Sequence, residues 1–172
     1  MPELPRIVLL SEFEHADVEP LRTSSAVAEL LIPTFGQADR EMSLVVTLDV
    51  DDRLIAVDTV AIGDIRETFT PIAEVLRTVM LRRADHFYIA HNHTAGDATP
   101  SREDCQAAIR VLAAADTAEL QLADALVFSR HDQWVSIREF LGGQGRDIDM
   151  EAERYDDRRI AELTSQIGIQ FD

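Results

Sequence analysis

The chain has 172 residues, and 32 Asp plus Glu against 16 basic residues give a formal net charge of −16, which fits one compact domain with a buried core and excludes two catalytic domains. A hydrophobic fraction of 46% with 28% charged residues excludes wholesale disorder, collagen and a coiled-coil rod. Such an acidic field repels phosphate backbones and anionic membrane surfaces, so strong intrinsic nucleic-acid binding and membrane attachment are not expected.

The first 20 residues carry little pattern. Thr23-Ser24-Ser25 offers N-cap chemistry, and Val27, Leu30 and Leu31 recur at helical spacing up to Pro33 and Gly36, predicting a short helix. Leu44 to Leu48 and Leu54 to Ile62 read as two antiparallel strands joined at Asp51-Asp52. Thr70-Pro71 places a capping residue before a proline at the first helical position, and Ile72, Val75, Leu76, Val79 and Met80 trace one apolar helix face.

His86 to Ala90 reads as a short buried strand that runs directly into His91-Asn92-His93. A turn-rich stretch from Thr94 to Pro100 follows, and Ser101 starts a helix through Ala107, Ala108, Val111 and Leu112. Leu120 to Phe128 and Trp134 to Ile137 predict a closing hairpin, after which Gly142-Gly143-Gln144-Gly145 breaks the chain. The layout is therefore an N-terminal segment over 1–23, a folded domain over 24–142 and an acidic extension over 143–172. That extension, loosely periodic in Ala152, Tyr155, Ile160 and Leu163, reads as a peripheral helix or a partner-binding tail.

All the basic residues are Arg, and no Lys occurs. Codon composition and avoidance of a lysine-directed modification are the two accounts of that bias. Cys105 is the sole cysteine, which rules out an intramolecular disulfide and a cysteine-based zinc cluster and suits a reducing cytoplasm. The longest apolar run near the N-terminus, Ile7 to Leu10, is too short for a signal-peptide core or a membrane span.

Alternate strand residues point to one side, so His91 and His93 at a strand end present two imidazoles together. A His-x-His pair alone is often incidental. Asp104, in the first turn of the next helix, is the candidate third ligand for a site of two histidines and one carboxylate that leaves a position to water. Gly142 to Gly145 lacks the Lys-Ser/Thr of a phosphate loop and reads as a linker. His15, His86 and His131 are isolated, Cys105 reads as a core-facing helix residue, and Arg82-Arg83 as a cationic helix end.

His-x-His, seven residues, Ser101, two residues and Asp104 on a strand-loop-helix resembles the JAMM metal motif of the JAB/MPN metalloprotease family. The stretch from His91 to Asp104 is most similar to the RadC-like branch, whose pattern reads HNHPSGD-x-x-PS-x-x-D. Arg40-Glu41 before the first strand, Val60 to Gly63 and Trp134 to Glu139 resemble further elements of that family, so the resemblance runs from about Ser24 to Leu141.

The resemblance implies an α/β fold in a single domain: a mixed, curved JAB-type sheet flanked by helices. It implies Zn²⁺ held by His91, His93 and Asp104, Ser101 as a transition-state hydrogen-bond donor, and Glu41 as general base. Glu41 equally fits an ordinary solvated strand-edge carboxylate, with Asp58 on the neighbouring strand as the fallback acceptor, and Ser101 equally fits a helix cap. Three positions depart from the pattern. Thr94 and Ala95 replace a proline and a serine, and Ala125 stands where an Asp-His pair would place histidine after Asp124. The helix-hairpin-helix region of full-length RadC-type proteins is not expected in the short segment ahead of the domain.

The implied activity is zinc-dependent hydrolysis of a peptide or isopeptide amide in a protein or peptide substrate, in the cytoplasm, with homodimerisation open. Two rivals stand beside it: a DNA-repair-associated or mobile-element accessory protein, and a non-catalytic JAB-fold scaffold. Metal content separates the scaffold from the zinc hydrolase, and metal-dependent cleavage of oligonucleotides would favour the accessory protein.

Overall fold

The computed structural model describes residues 18–36, 38–63, 71–94, 97–130 and 132–143. The acidic extension beyond Gly143, most of the N-terminal segment, Thr70, Ala95, His15 and His131 lie outside the described residues; Gly142 and Gly143, read from the sequence as part of a linker, instead end the last helix. In chain order the elements are α1 (Ser24–Gly36), β1 (Met42–Leu48), β2 (Leu54–Ile62), α2 (Ile72–Arg82), β3 (His86–Asn92), α3 (Arg102–Thr117), β4 (Gln121–Phe128), β5 (Trp134–Ser136) and α4 (Ile137–Gly143). The strands form one sheet ordered β2-β1-β3-β4-β5. Only β3 and β4 pair in parallel, and α3 is the crossover between them, so the sheet is mixed as expected.

The two-residue period of the strands divides the core into two layers. Val45, Phe87, Ile89, Ala125 and Val127 face α2, α3 and α4. Leu44, Val46, Leu48, Tyr88, Ala90, Leu126 and Phe128 face α1. Both faces of β3 are covered, and its buried run Phe-Tyr-Ile-Ala-His-Asn from Phe87 to Asn92 reads as a central strand for that reason. On the α1 side the rings of Phe35 and Phe128 stack tilted, with centroids 4.6 Å apart.

The β1–β2 hairpin turns where the acidic run predicts. Asp49 Oδ1 accepts from the backbone N–H groups of Asp51 and Arg53, each at 2.9 Å, an Asx-type closure. Asp52 takes a left-handed φ of 61°, and the N–H of Leu21 donates to the Asp52 carbonyl at 2.8 Å.

Three local expectations are corrected. Pro71 occupies the N-cap of α2 rather than its first helical position. Met80 is 52% exposed, because α2 lies over the edge of the sheet and buries only Val75 and Val79 fully. Ile137 belongs to α4 rather than to the last strand: its β-branched side chain still buries, but β5 ends at Ser136. No helix among the described residues is long and apolar enough to cross a membrane.

Candidate metal centre

The site forms where the carboxyl end of β3 meets the N-terminus of α3, the position at which parallel strands and their crossover helices commonly open a binding crevice. His91 closes the β1–β3 ladder opposite Ser43. His93 follows the strand end, held by its backbone N–H donating to the Phe128 carbonyl at 2.8 Å. Their Nε2 atoms turn toward one another at 3.4 Å. Nε2 of His91 lies 2.9 Å from Asp104 Oδ1, and Nε2 of His93 lies 3.1 Å from Asp104 Oδ2.

Asp104 reaches the histidines because of how α3 begins. Ser101 caps the helix: its Oγ accepts from the Asp104 N–H at 3.1 Å while the Ser101 N–H donates to Asp104 Oδ2 at 2.7 Å, a reciprocal capping box. The Ser101 hydroxyl proton is also turned to Oδ2, with the oxygens 2.6 Å apart. The cap reading of Ser101 therefore holds, and the same contacts orient the carboxylate.

His93 is steered from its other side. Its Nδ1 lies 3.2 Å from the Asp97 carbonyl, which can only accept, so Nδ1 carries a proton and Nε2 faces the centre. Both Nε2 atoms lie within hydrogen-bond distance of the Asp104 carboxylate. The hydrogen bond to Asp104 raises the His93 pKa against the opposing effect of burial, with the Asp97 carbonyl and the Glu41 charge adding to it. Burial works against ionisation of Asp104, but hydrogen bonds from His91 and His93 override it and hold the carboxyl well below the usual carboxylate range.

The donor set fits a divalent cation. One ligand atom from each of His91, His93 and Asp104 lies within 4.8 Å of the others, and two imidazoles with a carboxylate suit a first-row metal. His91, His93 and Asp104 would hold it as neutral imidazoles and a carboxylate, so binding would release protons.

The remaining expected residues fall in and out of this neighbourhood. Glu41 directly precedes β1, its carbonyl accepting from the Gly63 N–H at 2.9 Å, and its charge is felt at His93. Asp58 is not available as the fallback acceptor. It is 1% exposed, and Arg82 grips it bidentately, Nε to Oδ2 at 2.9 Å and Nη2 to Oδ1 at 2.6 Å. Arg82 thus ends α2 by pairing with β2, rather than serving only as a cationic helix end.

Ala125 lines a small cavity beside the centre together with Ser43, His91, Asp104 and Ala107. Among the described residues the Ser43 hydroxyl there is buried without a hydrogen-bond partner. His86 lies at the opposite end of β3 against Asp52 and Asp85. Cys105 is fully buried, and burial, with Asp104 nearby, pushes its thiol up to about 12. Sequence reasoning missed Asn92 and the Asp97 carbonyl. The first is embedded in the motif but looks like a spacer, and the second is a backbone group that no residue type announces.

The sequence profile of the RadC-like JAB domain matches residues 21–143. A UPF0758 protein of Chloroflexus aggregans is 34% identical over 120 residues, covering 70% of this chain and 52% of the relative. Another from Caldanaerobacter subterraneus subsp. tengcongensis is 27% identical over 152 residues, covering 88% and 58%. One from Picosynechococcus is 39% identical over 101 residues, covering 59% and 41%. The chain spans about half the length of the curated relatives it matches.

Proposed function

This chain belongs to the RadC-like JAB domain family, and from that membership and the donor set at the end of β3 we propose that it is a zinc-dependent hydrolase of a peptide or isopeptide amide bond. One observation carries the proposal. Two imidazole nitrogens and a carboxylate, with ligand atoms all within 4.8 Å, converge where a strand end meets a helix start. Catalytic zinc sites use such a set and leave a further position to water or substrate.

When bound, zinc supplies a Lewis acid that polarises a carbonyl and brings the pKa of a coordinated water to about 7. His91, His93 and Asp104 are the residues to hold it. Glu41 takes the proton of the attacking water on its carboxylate and returns one to the leaving amine. The Ser101 N–H keeps Asp104 oriented, and the Ser101 hydroxyl, turned away from Asp104 Oδ2, donates to the oxyanion that develops on the substrate carbonyl. The substrate is a protein or peptide, because the acidic chain has few cations to offer a nucleic acid.

Elemental analysis tests the centre. One zinc per chain is expected in the native protein and none in His93→Ala. Incubation with quenched peptides and lysine-isopeptide fluorogenic substrates then tests the reaction: cleavage should need zinc and disappear in Glu41→Gln with zinc retained. Equal zinc in native protein and His93→Ala, or zinc-dependent cleavage of oligonucleotides in place of amides, would overturn it.

A further inference from the structure

We propose that Asn92, the residue between the two histidines, is a positioning residue for Glu41: its carboxamide clamps the backbone on either side of Glu41 and so sets where that carboxylate stands relative to His91, His93 and Asp104. The inference rests on the reading of Glu41 as proton acceptor.

The backbone ladder between β1 and β3 ends at Ser43 opposite His91. One residue further, the Asn92 side chain takes over. Its Oδ1 accepts from the Met42 N–H at 2.9 Å, and its Nδ2 donates to the Arg40 carbonyl at 3.2 Å. The carboxamide therefore acts as a surrogate peptide group, offering one acceptor and one donor to the two peptide units that flank Glu41. Only one amide orientation satisfies both partners, since Met42 N can only donate and the Arg40 carbonyl can only accept. A carboxylate or an aliphatic side chain could not meet both.

Asn92 is 1% exposed, so neither bond competes with bulk water. From the opposite side the Gly63 N–H holds the Glu41 carbonyl at 2.9 Å. Glu41 is thus fixed between β2 and the end of β3. Along an extended segment alternate residues share a face, and Ser43 and Val45 lie on the α3 side of the sheet with His91 and Ile89. Kept in line with β1, Glu41 falls on that same side. A catalytic carboxylate on a free strand end would sample many directions, and misplacement by about 1 Å can cost on the order of a hundredfold in rate.

The test uses the full chain loaded with Co²⁺, whose visible spectrum reports the surroundings of the metal without any substrate. Four variants at the proposed clamp, Glu41→Gln, Asn92→Ala, the double variant and Asn92→Asp, and one control, Ser136→Ala, are compared with the native protein. Asn92→Asp keeps an acceptor for Met42 but sets a carboxylate against the Arg40 carbonyl. Asn92→Ala is expected to bind one metal per chain, to speed Met42 amide exchange roughly tenfold and to change the cobalt spectrum as Glu41→Gln does. The double variant should add nothing further.

Ser136→Ala, which loosens the core away from the centre, should lower stability and leave the spectrum alone, separating positioning from general weakening. Should Asn92→Ala fail to fold, Asn92→Asp decides alone, and a spectrum shifted toward that of Glu41→Gln supports the clamp. A native spectrum in the Asn92 variants while Glu41→Gln is altered overturns the clamp and leaves Glu41 in its role. A native spectrum in Glu41→Gln overturns the reading of Glu41 and the clamp with it. Where an amide substrate is cleaved, Asn92→Ala should lower kcat about a hundredfold while KM stays within roughly twofold.

Discussion

Ser24 at the start of α1 donates a 2.6 Å hydrogen bond to Oδ2 of Asp124, one hundred residues further along the chain on β4. Ser136 Oγ donates to the same oxygen at 2.6 Å, and Oδ1 accepts from the Ala125 N–H at 2.7 Å and the Arg138 N–H at 3.4 Å. A carboxylate 2% exposed thus joins α1, β4 and the β5–α4 junction, and its neutral donors share its charge. Asp124→Ala would strand the buried Ser136 hydroxyl and Ala125 N–H at once. We expect a loss of about 2–4 kcal/mol in urea unfolding, with metal stoichiometry unchanged because the hydrogen bonds of this network run to Ser24, Ala125, Ser136 and Arg138 and not to His91, His93 or Asp104. Loss of metal with intact stability would contradict that separation.

The metal-free and metal-loaded proteins should respond to pH in opposite senses. In the metal-free triad His93 has a raised pKa and Asp104 a lowered one. The His93 contribution is complete below its unfolded pKa of about 6.5 and fades as pH rises through the folded value. The Asp104 contribution is present above about 3.9 and lost as pH falls toward its depressed folded value. The triad therefore helps the metal-free fold most between about pH 4 and 6.5. Metal binding displaces those protons, so affinity rises with pH across the histidine range. Urea unfolding of chelator-treated native protein and His93→Ala across pH 4 to 8, beside zinc titrations against a competing chelator, checks both signs.

Much of this centre is legible in the sequence because its ligands are local. A strand, a loop and the first helical turn lie within His91 to Asp104, and alternation in the strand with the cap at Ser101 already brings the side chains near one another. The β1–β2 turn was legible for the same reason, its closing groups lying between Asp49 and Arg53. What stayed hidden is long-range. Asn92 meets Arg40 and Met42 across the sheet, Arg82 claims Asp58 from another element, and Asp124 collects donors from three. None of these pairings leaves a period or a spacing in the chain. The helical start at Ile137 was missed because a β-branched residue following Trp134 and Val135 continues a strand pattern until tertiary packing ends it.

Cys105 should be chemically silent in the folded protein. It follows a proposed ligand directly, yet its side chain packs in the α3 face of the core with no exposure, and a thiol pushed up to about 12 carries little thiolate at neutral pH. A disulfide exchange reagent at pH 8 should label it only after denaturant is added. Rapid labelling of the native protein would mean that α3 opens readily beside the centre.

Duplex DNA should not be retained. With a net charge of −16 the chain can replace few counterions on a phosphate backbone, and Arg82 is already committed to Asp58. Titration of a labelled duplex at about 150 mM salt is expected to show no binding at micromolar protein. Tight binding with a steep salt dependence would instead require arginines gathered on one face.

Ser101→Ala should separate the two services that this serine performs. Its Oγ caps α3 through the Asp104 N–H at 3.1 Å and contacts Asp104 Oδ2 at 2.6 Å, while its own N–H holds Oδ2 at 2.7 Å. Substitution removes both hydroxyl contacts and spares the backbone one. Loss of a serine cap costs about 1 kcal/mol, measurable as a shift of the urea midpoint in metal-free protein. Loss of a partner that orients a metal ligand typically lowers affinity by about 10–100-fold, and the surviving backbone bond places this variant near the lower end, at about tenfold. Asp104→Ala, by contrast, should abolish zinc retention. A Ser101→Ala protein with native zinc affinity and the expected loss of stability would make the serine a helix cap alone, and the backbone N–H would then be sufficient to aim the carboxylate at His91 and His93.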